Sequence, residues 1–359
     1  MIEFNNFSRE YSSLGDEINS VIKEVISSGK YILNDRVSEF EKNFSNYLDV
    51  QHCVAVASGT DALTISLIAL GIGPGDEVIT SGMTAYPTII GILNSGAKPV
   101  LVDINLDNIL INAEKIEDVI TDKTKAIIPV HLYGQSCNMD KIIDISNKFN
   151  LHIIEDCAQS TGTLYKNKMT GTIGSCGAFS FYPTKNLGCY GDGGAITTNN
   201  DEIYSKAKLL RNYGQGSSYQ YNINGMNSRL DELQAAVLSK KLKYLNIWNN
   251  RRNDIAKKYI QDIKNLTLLA KDPNSSHSYH LFVGRSNDRK KLSKYLKENG
   301  VQTLVHYPIS INEQVAFKEY KSKILNNAYQ ASKEIISLPI NPWLKDDEVD
   351  FIIETINNF

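Results

Sequence analysis

The sequence predicts an α/β protein with a mostly parallel sheet, on three observations. From about residue 50, short apolar runs rich in Val and Ile alternate with amphipathic helical stretches. Turns built on Gly and Ser separate the two patterns. The chain's 359 residues, 42 % of them hydrophobic, are enough for about two domains of ~150 residues each.

Taken in order, the first ~45 residues read as helical and pack beside one of the domains. Residues 52–57 (HCVAVA) form a strand, and 61–70 (DALTISLIAL) a helix stopped at Gly71. Residues 77–81 are the second strand, followed by a helical stretch to residue 93. A third strand at 98–104 precedes a helix around 113–120. A fourth at 125–130 precedes a helix over 139–149, and 151–155 is the fifth. This alternation puts helices on both faces of the sheet, where ligands sit beyond the carboxyl ends of the strands. After Gly174, short strands at 178–182 and 195–198 flank a Gly-rich turn. A long helical region over 230–264 follows. Residues 279–284, a helix at 290–299, 303–306 and a terminal helix from 346 make a smaller α/β unit. The expected division is a large domain, 1–240, and a smaller one, 241–359.

Composition removes several classes of function. Thirty-eight Lys plus Arg oppose 40 Asp plus Glu, a formal charge of −2. That balance speaks against a nucleic-acid footprint or a polybasic membrane surface. No apolar run approaches the ~20 residues that span a bilayer. The start, MIEFNNFSREYSS, carries acid and amide groups where a secretion signal needs a basic start and an apolar stretch, which predicts a cytoplasmic protein. The cysteines at 53, 137, 157, 176 and 189 form no C-x-x-C pair, and the six histidines contain no H-E-x-x-H. Nothing in the sequence calls for a metal. Cys53 and Cys157, in apolar surroundings, read as buried inert thiols.

Three motifs carry the chemistry. Ser58-Gly59-Thr60-Asp61 joins a strand to a helix, where free N–H groups form an anion site and Gly59 admits a phosphate closely. Alone, it also fits an ordinary capped turn. Neither a P-loop nor G-x-G-x-x-G is present. Glu155-Asp156-Cys157-Ala158-Gln159-Ser160 puts an acid and an amide three residues apart at a strand's carboxyl end, enough to hold one planar ligand, or simply a helix start capped by Asp. Then Phe179–Gly188 (FSFYPTKNLG) leads into Gly191-Asp192-Gly193-Gly194. Pro183 and the glycines impose an irregular backbone around Lys185 and expose its amine at a strand end. A lysine whose pKa is lowered by burial or cationic neighbours forms Schiff bases. Pyridoxal phosphate needs such a lysine, an acid at its ring nitrogen, a phosphate site and a ring-stacking group. Lys185, Asp156, the 58–61 turn with Ser180, and Tyr86 offer the four.

SGTDAL (58–63), EDCAQS (155–160), SFYPTKNLGCYGDGG (180–194) and NSRLDELQAAVL (227–238) together resemble the DegT/DnrJ/StrS group. These are fold-type-I, pyridoxal-phosphate-dependent aminotransferases of nucleotide-linked keto-sugars, and the resemblance covers nearly the whole chain. It implies that Lys185 forms the Schiff base and shuttles the proton, and that Asp156 keeps the pyridine nitrogen protonated. Gln159 would meet the ring hydroxyl, and Ser180 with Gly59 and Thr60 would hold the phosphate. Asn227 resembles a residue that reaches the phosphate from the neighbouring subunit, which implies a homodimer with shared active sites. Tyr86 is expected over the open ring face, although its segment departs from the commoner Thr-Phe/Tyr form. Tyr182, Tyr190, Arg229, His306 and Tyr307 are the expected sugar contacts, while Asn312 and Asn341 stand where many members have histidine.

The resemblance further implies glutamate as amino donor in a ping-pong cycle, making an amino-sugar for lipopolysaccharide, other surface polysaccharides or glycosides. Tyr182 and Asp192 resemble the 3-amino branch, with dTDP-3-keto-6-deoxyhexose the first substrate. A UDP-linked 3-keto uronic acid is the nearest rival, and a 4-keto-sugar stands behind both. Two other readings are a sugar dehydratase, against which Lys185 itself speaks, and a non-enzymatic regulator on the same fold.

Overall fold

The computed structural model describes residues 1–320 and 325–359. Seven strands form the central sheet: β1 (His52–Val56), β2 (Glu77–Ser81), β3 (Lys98–Val102), β4 (Thr124–Ile128), β5 (His152–Asp156), β6 (Cys176–Ser180) and β7 (Gly194–Thr198). Their spatial order is β1-β7-β6-β5-β4-β2-β3. Only β7 runs against its neighbours, pairing antiparallel with β1 and β6. The other six point the same way, so their carboxyl ends share one edge. The expected mostly parallel sheet is what forms. Its strands are buried on both faces, which is why they read as continuous rather than alternating apolar runs.

The helices are α1 (Phe7–Ser28), α2 (Asp35–Leu48), α3 (Gly59–Ala69), α4 (Tyr86–Asn94), α5 (Met139–Phe149), α6 (Asp201–Leu210), α7 (Glu232–Leu242), α8 (Leu245–Asp262), α9 (Arg289–Glu298), α10 (Asn326–Glu334) and α11 (Asp346–Asn357). Helix α3 is apolar nearly all round and is buried between the sheet, α4 and α6. Burial on every side fixes the direction in which its N-terminus points. Ser58 caps that N-terminus, its side chain accepting from the Asp61 N–H at 3.1 Å.

A separate core around Tyr259, Phe282, Leu292, Ile336 and Ile352 packs α8, α9 and α11 against a small sheet. That sheet joins β8 (Thr267–Leu268), β9 (Phe282–Arg285) and β10 (Ile335–Leu338), antiparallel throughout. The edge of β10 reaches back through an isolated bridge between Leu304 and Ser337.

Four local expectations give way. The helix expected at 113–120 is two short 3₁₀ turns, Ala113–Lys115 and Glu117–Val119. Asn112 caps the first, but only Ala113 and Ile116 offer a buried face, too little to support a full helix. The helical region at 230–264 breaks at Lys243 and Tyr244 into α7 and α8. Residues 303–306 contribute one bridge rather than a strand, and the strand expected at 279–284 begins only at Phe282. The elements missed include α6, although its Asn200 cap and Ile203, Ala207 and Leu210 at helical spacing mark it. They also include α10, which buries only small residues, and the short strands β8 and β10. All five cysteines are buried thiols, and burial pushes those of Cys53 and Cys157 up, as their apolar surroundings predict. No helix among the described residues is long and apolar enough to cross a membrane.

Candidate active site

A cavity of about 540 Å³ opens at the carboxyl ends of β1, β2, β5 and β6. It gathers Gly59, Thr60, Tyr86, Asp156, Gln159, Ser180, Tyr182, Lys185, His306 and Tyr307 from the expected set. Asn227, Tyr190 and Arg229 lie outside its wall. Asn227 is exposed, Tyr190 donates to Glu10 at 3.2 Å, and Arg229 donates to Asn212 at 3.0 Å and sits over the Tyr213 ring. Asn341 is turned away too, held between the Phe4 carbonyl and the Trp343 N–H, and Asn312 is buried with Ser310.

Lys185 sits in a loop that closes on itself. The Lys185 N–H meets the Tyr182 carbonyl, and the Cys189 N–H meets that of Phe181, both at 2.8 Å. A Cβ on Gly188 would stand 2.4 Å from the Pro183 carbonyl, so the closure requires glycine there. Lys241 ties the loop from behind, donating to the Gly188 carbonyl at 2.8 Å while paired with Glu10. The Lys185 amine itself makes no hydrogen bond among the described residues. Burial pushes it down to about 8, against the opposing pull of Asp156. An amine that loses its proton near physiological pH is a nucleophile and a proton carrier.

Asp156 ends β5, 5 % exposed. Its carboxylate accepts from Thr88 Oγ1 at 2.8 Å and from the Ala158 N–H at 3.1 Å. Burial raises its pKa, while Thr88, Ala158, Lys185 and His131 hold it back. Thr88 was not among the expected residues. It lies one helical turn after Thr84, which it meets at 2.8 Å, and only the approach of α4 to β5 brings it to the acid. Gln159 is oriented at both ends: its Oε1 accepts from the Tyr133 N–H at 2.8 Å, and its Nε2 donates to the Tyr307 hydroxyl at 3.0 Å. One Nε2 hydrogen has no partner among the described residues.

The phosphate cradle follows from close approach. A Cβ on Gly59 would stand 2.7 Å from Ser180 Cβ, so glycine alone lets the start of α3 and the end of β6 meet. The first N–H groups of a helix have no intrahelical acceptor, and here they sit beside the Ser180 hydroxyl. That donor set suits a phosphate, so the cavity fits pyridoxal phosphate in shape and chemistry. Gly59→Ala is expected to weaken cofactor binding about tenfold, since ~1–3 kcal/mol of overpacking pushes the two elements apart. Fluorescence titration of the apoprotein measures this, and unchanged affinity would remove the cradle.

His131, Glu155 and Cys157 form a buried group whose ligand atoms lie within 4.8 Å of one another. Glu155 already accepts from the N–H groups of Gly171, Ile173 and Gly174 and meets His131 Nε2, while His131 Nδ1 accepts from Cys137. Its valences are met by protein, which makes it a brace beneath Asp156.

A model of the DegT/DnrJ/EryC1/StrS aminotransferase family matches residues 12–357. The chain is 44 % identical, over all of itself and 99 % of the relative, to dTDP-3-amino-3,6-dideoxy-alpha-D-galactopyranose transaminase of Aneurinibacillus thermoaerophilus. It is 39 % identical, over 100 % of both, to UDP-2-acetamido-2-deoxy-3-oxo-D-glucuronate aminotransferase of Pseudomonas aeruginosa. The crystal structure of DesV from S. venezuelae superposes with a TM-score of 0.97, at 37 % identity, covering 99 % of this chain and 98 % of that one.

Proposed function

We propose, from the premise that this chain belongs to the DegT/DnrJ/EryC1/StrS aminotransferase family, that it moves an amino group from glutamate to a nucleotide-linked 3-keto-sugar. It is a pyridoxal-phosphate-dependent aminotransferase. The proposal concerns its substrates and the roles of its residues. dTDP-3-keto-6-deoxyhexose stands first, because a relative that matches end to end bears a dTDP-3-amino-sugar name. A UDP-linked 3-keto uronic acid is the rival, supported by the glucuronate relative.

One observation carries the reading: a lysine amine that titrates near 8 shares a cavity with a buried carboxylate and a helix-start anion cradle. When bound, pyridoxal phosphate supplies an aldehyde that condenses with amines and a ring that draws electrons from the adjacent carbon. Gly59 and Thr60 N–H groups and the Ser180 hydroxyl bind its phosphate. Asp156, whose carboxylate accepts from Thr88 and the Ala158 N–H, would hold a proton on the ring nitrogen. Gln159 gives its free Nε2 hydrogen to the ring hydroxyl, and Tyr86 covers a ring face. Lys185, once free, carries the proton between the donor or sugar carbon and the cofactor carbon. Tyr182, His306 and Tyr307 line the sugar side of the cavity. The same reading divides the chain after residue 240, with 241–359 closing over the sugar. It also makes the unit a homodimer, in which the partner subunit's Asn227 completes the phosphate site and Tyr190 and Arg229 face the sugar.

Glutamate added to the cofactor-loaded protein is expected to shift its absorbance to the pyridoxamine form. A panel of dTDP- and UDP-linked 3- and 4-keto-sugars should then restore the original band, fastest with a dTDP-linked 3-keto-sugar. No response to glutamate with any acceptor overturns the reading and favours a non-enzymatic role.

A further inference from the structure

Tyr133 follows β4 with φ at +63°, in the left-handed region that residues other than glycine rarely occupy. Glycine would take that conformation at less cost, so the side chain has to be accounted for. It is 2 % exposed, and its hydroxyl donates to the His306 carbonyl, 173 residues away. Both backbone groups are bonded as well. The Tyr133 N–H donates to Gln159 Oε1 at 2.8 Å, and the Tyr133 carbonyl accepts from the Leu281 N–H at 3.2 Å. Three other segments of the chain therefore meet on this one residue. A backbone N–H can only donate, so the Gln159 atom facing it is the oxygen and the far end is the amide nitrogen. That nitrogen donates to the Tyr307 hydroxyl at 3.0 Å. The phenol oxygen is thus the acceptor, and its own hydrogen has no acceptor among the described residues. Tyr307 lines the cavity, and burial pushes its pKa up to about 12, so the hydroxyl keeps that hydrogen at neutral pH.

We infer that Tyr133 is a positioning residue for Tyr307. Its N–H sets, through Gln159, which way the Tyr307 hydroxyl donates, and its own hydroxyl holds the His306–Tyr307 backbone where that donor faces the keto-sugar. The group so recognised is an oxygen of the sugar ring's substituents, hydroxyl or carbonyl, since both accept. Ser337 of β10 holds the same segment from the other side, through the bridge to Leu304 and through its Oγ, 2.9 Å from the His306 ring. Tyr133 supplies the tie to the central sheet. The contacts also join Gln159, the expected partner of the ring hydroxyl, to the sugar wall. One residue therefore aligns the cofactor side of the cavity with the acceptor side.

The inference rests on the proposed function for what Tyr307 meets, but its first test needs neither cofactor nor substrate, so the two fail separately. Tyr133→Phe removes the hydroxyl and keeps the ring and the N–H bond to Gln159. In the apoprotein, hydrogen exchange read by mass spectrometry should then accelerate about fivefold at Leu304, whose N–H is held by the Ser337 carbonyl at 3.2 Å. Tyr307→Phe leaves the bond between Tyr133 and His306 in place and should leave that exchange at the native rate. Unchanged exchange in Tyr133→Phe overturns the inference. In the loaded enzyme, each variant is expected to raise KM for the keto-sugar about fivefold and to leave kcat within about twofold, as loss of uniform binding does. The double variant should be no worse than Tyr307→Phe alone, because Tyr133 acts through Tyr307. Additive losses, or losses that fall equally on kcat, mark a merely structural role and overturn the inference. An unchanged KM in Tyr307→Phe overturns it without any change at Tyr133. If the native chain accepts no keto-sugar, the proposed function fails, and the exchange result still decides whether Tyr133 holds the segment.

Discussion

Lys185→Ala is expected to leave transamination at least ~10²–10⁴-fold below the native rate, the size of the acid–base contribution alone. Cofactor should still bind, because the Gly59–Ser180 cradle, Asp156 and Gln159 do not depend on the lysine. It should, however, be lost on denaturation even after borohydride treatment, which fixes it to the native chain. The variant should fold. Lys185 makes no side-chain hydrogen bond among the described residues, and its amine carries a burial cost. The unfolded amine titrates near 10.5 and the folded one near 8. Between these values the unfolded chain binds more protons, so stability rises with pH across that window. Below about 8 the cost of burying the ammonium is fully present. The apoprotein of Lys185→Ala is therefore expected to melt no lower than the native apoprotein at neutral pH. In the native apoprotein, capture of added pyridoxal phosphate should accelerate as pH rises through about 8. Turnover by Lys185→Ala at the native rate would end the assignment of this residue.

Asp156→Asn is the second large effect. Removing one charge at the site where charge develops costs about 10²–10³ in kcat. The substitution fits sterically because the neighbouring hydroxyls can swivel. The new amide oxygen faces the Ala158 N–H, its nitrogen donates to Thr88, and Thr88 donates on to Thr84. Burial raises the folded pKa of Asp156 above its ordinary 3.8, so between the two values the folded chain holds the extra proton. Stability falls as pH rises across that window, and the cost is fully present above it. Asp156→Asn should therefore melt no lower than the native apoprotein at neutral pH while binding cofactor more weakly. Calorimetry alongside a cofactor titration checks both. A marked loss of apoprotein stability would mean that Asp156 is a structural acid.

The division between what could be read and what could not follows interaction range. Strands β1 to β5 were legible because burial on both faces leaves unbroken apolar runs, α3 because the 58–61 turn offers it a cap, and α5 because its amphipathic run follows a strand. The short turns at 113–119 were misread as a helix, since eight residues of helical composition say nothing about the face they have to bury. Helix α6 carried a readable signal that was passed over, Asn200 as cap with Ile203, Ala207 and Leu210 at helical spacing, whereas α10 buries only the small residues Ala328, Ala331 and Ser332.

The sequence by itself determined the fold class, the family and the loop chemistry of Lys185, because each depends on residues that are close in the chain. Pro183, Gly188 and the small residues at 58–60 can do little else. Only the tertiary structure decided how the acid is tuned and how the sugar wall is held. Thr88 reaches Asp156 across 68 residues, and Tyr133 reaches His306 across 173. Hydrogen bonds of that span leave no spacing rule behind, since the geometry that makes them belongs to the packed sheet.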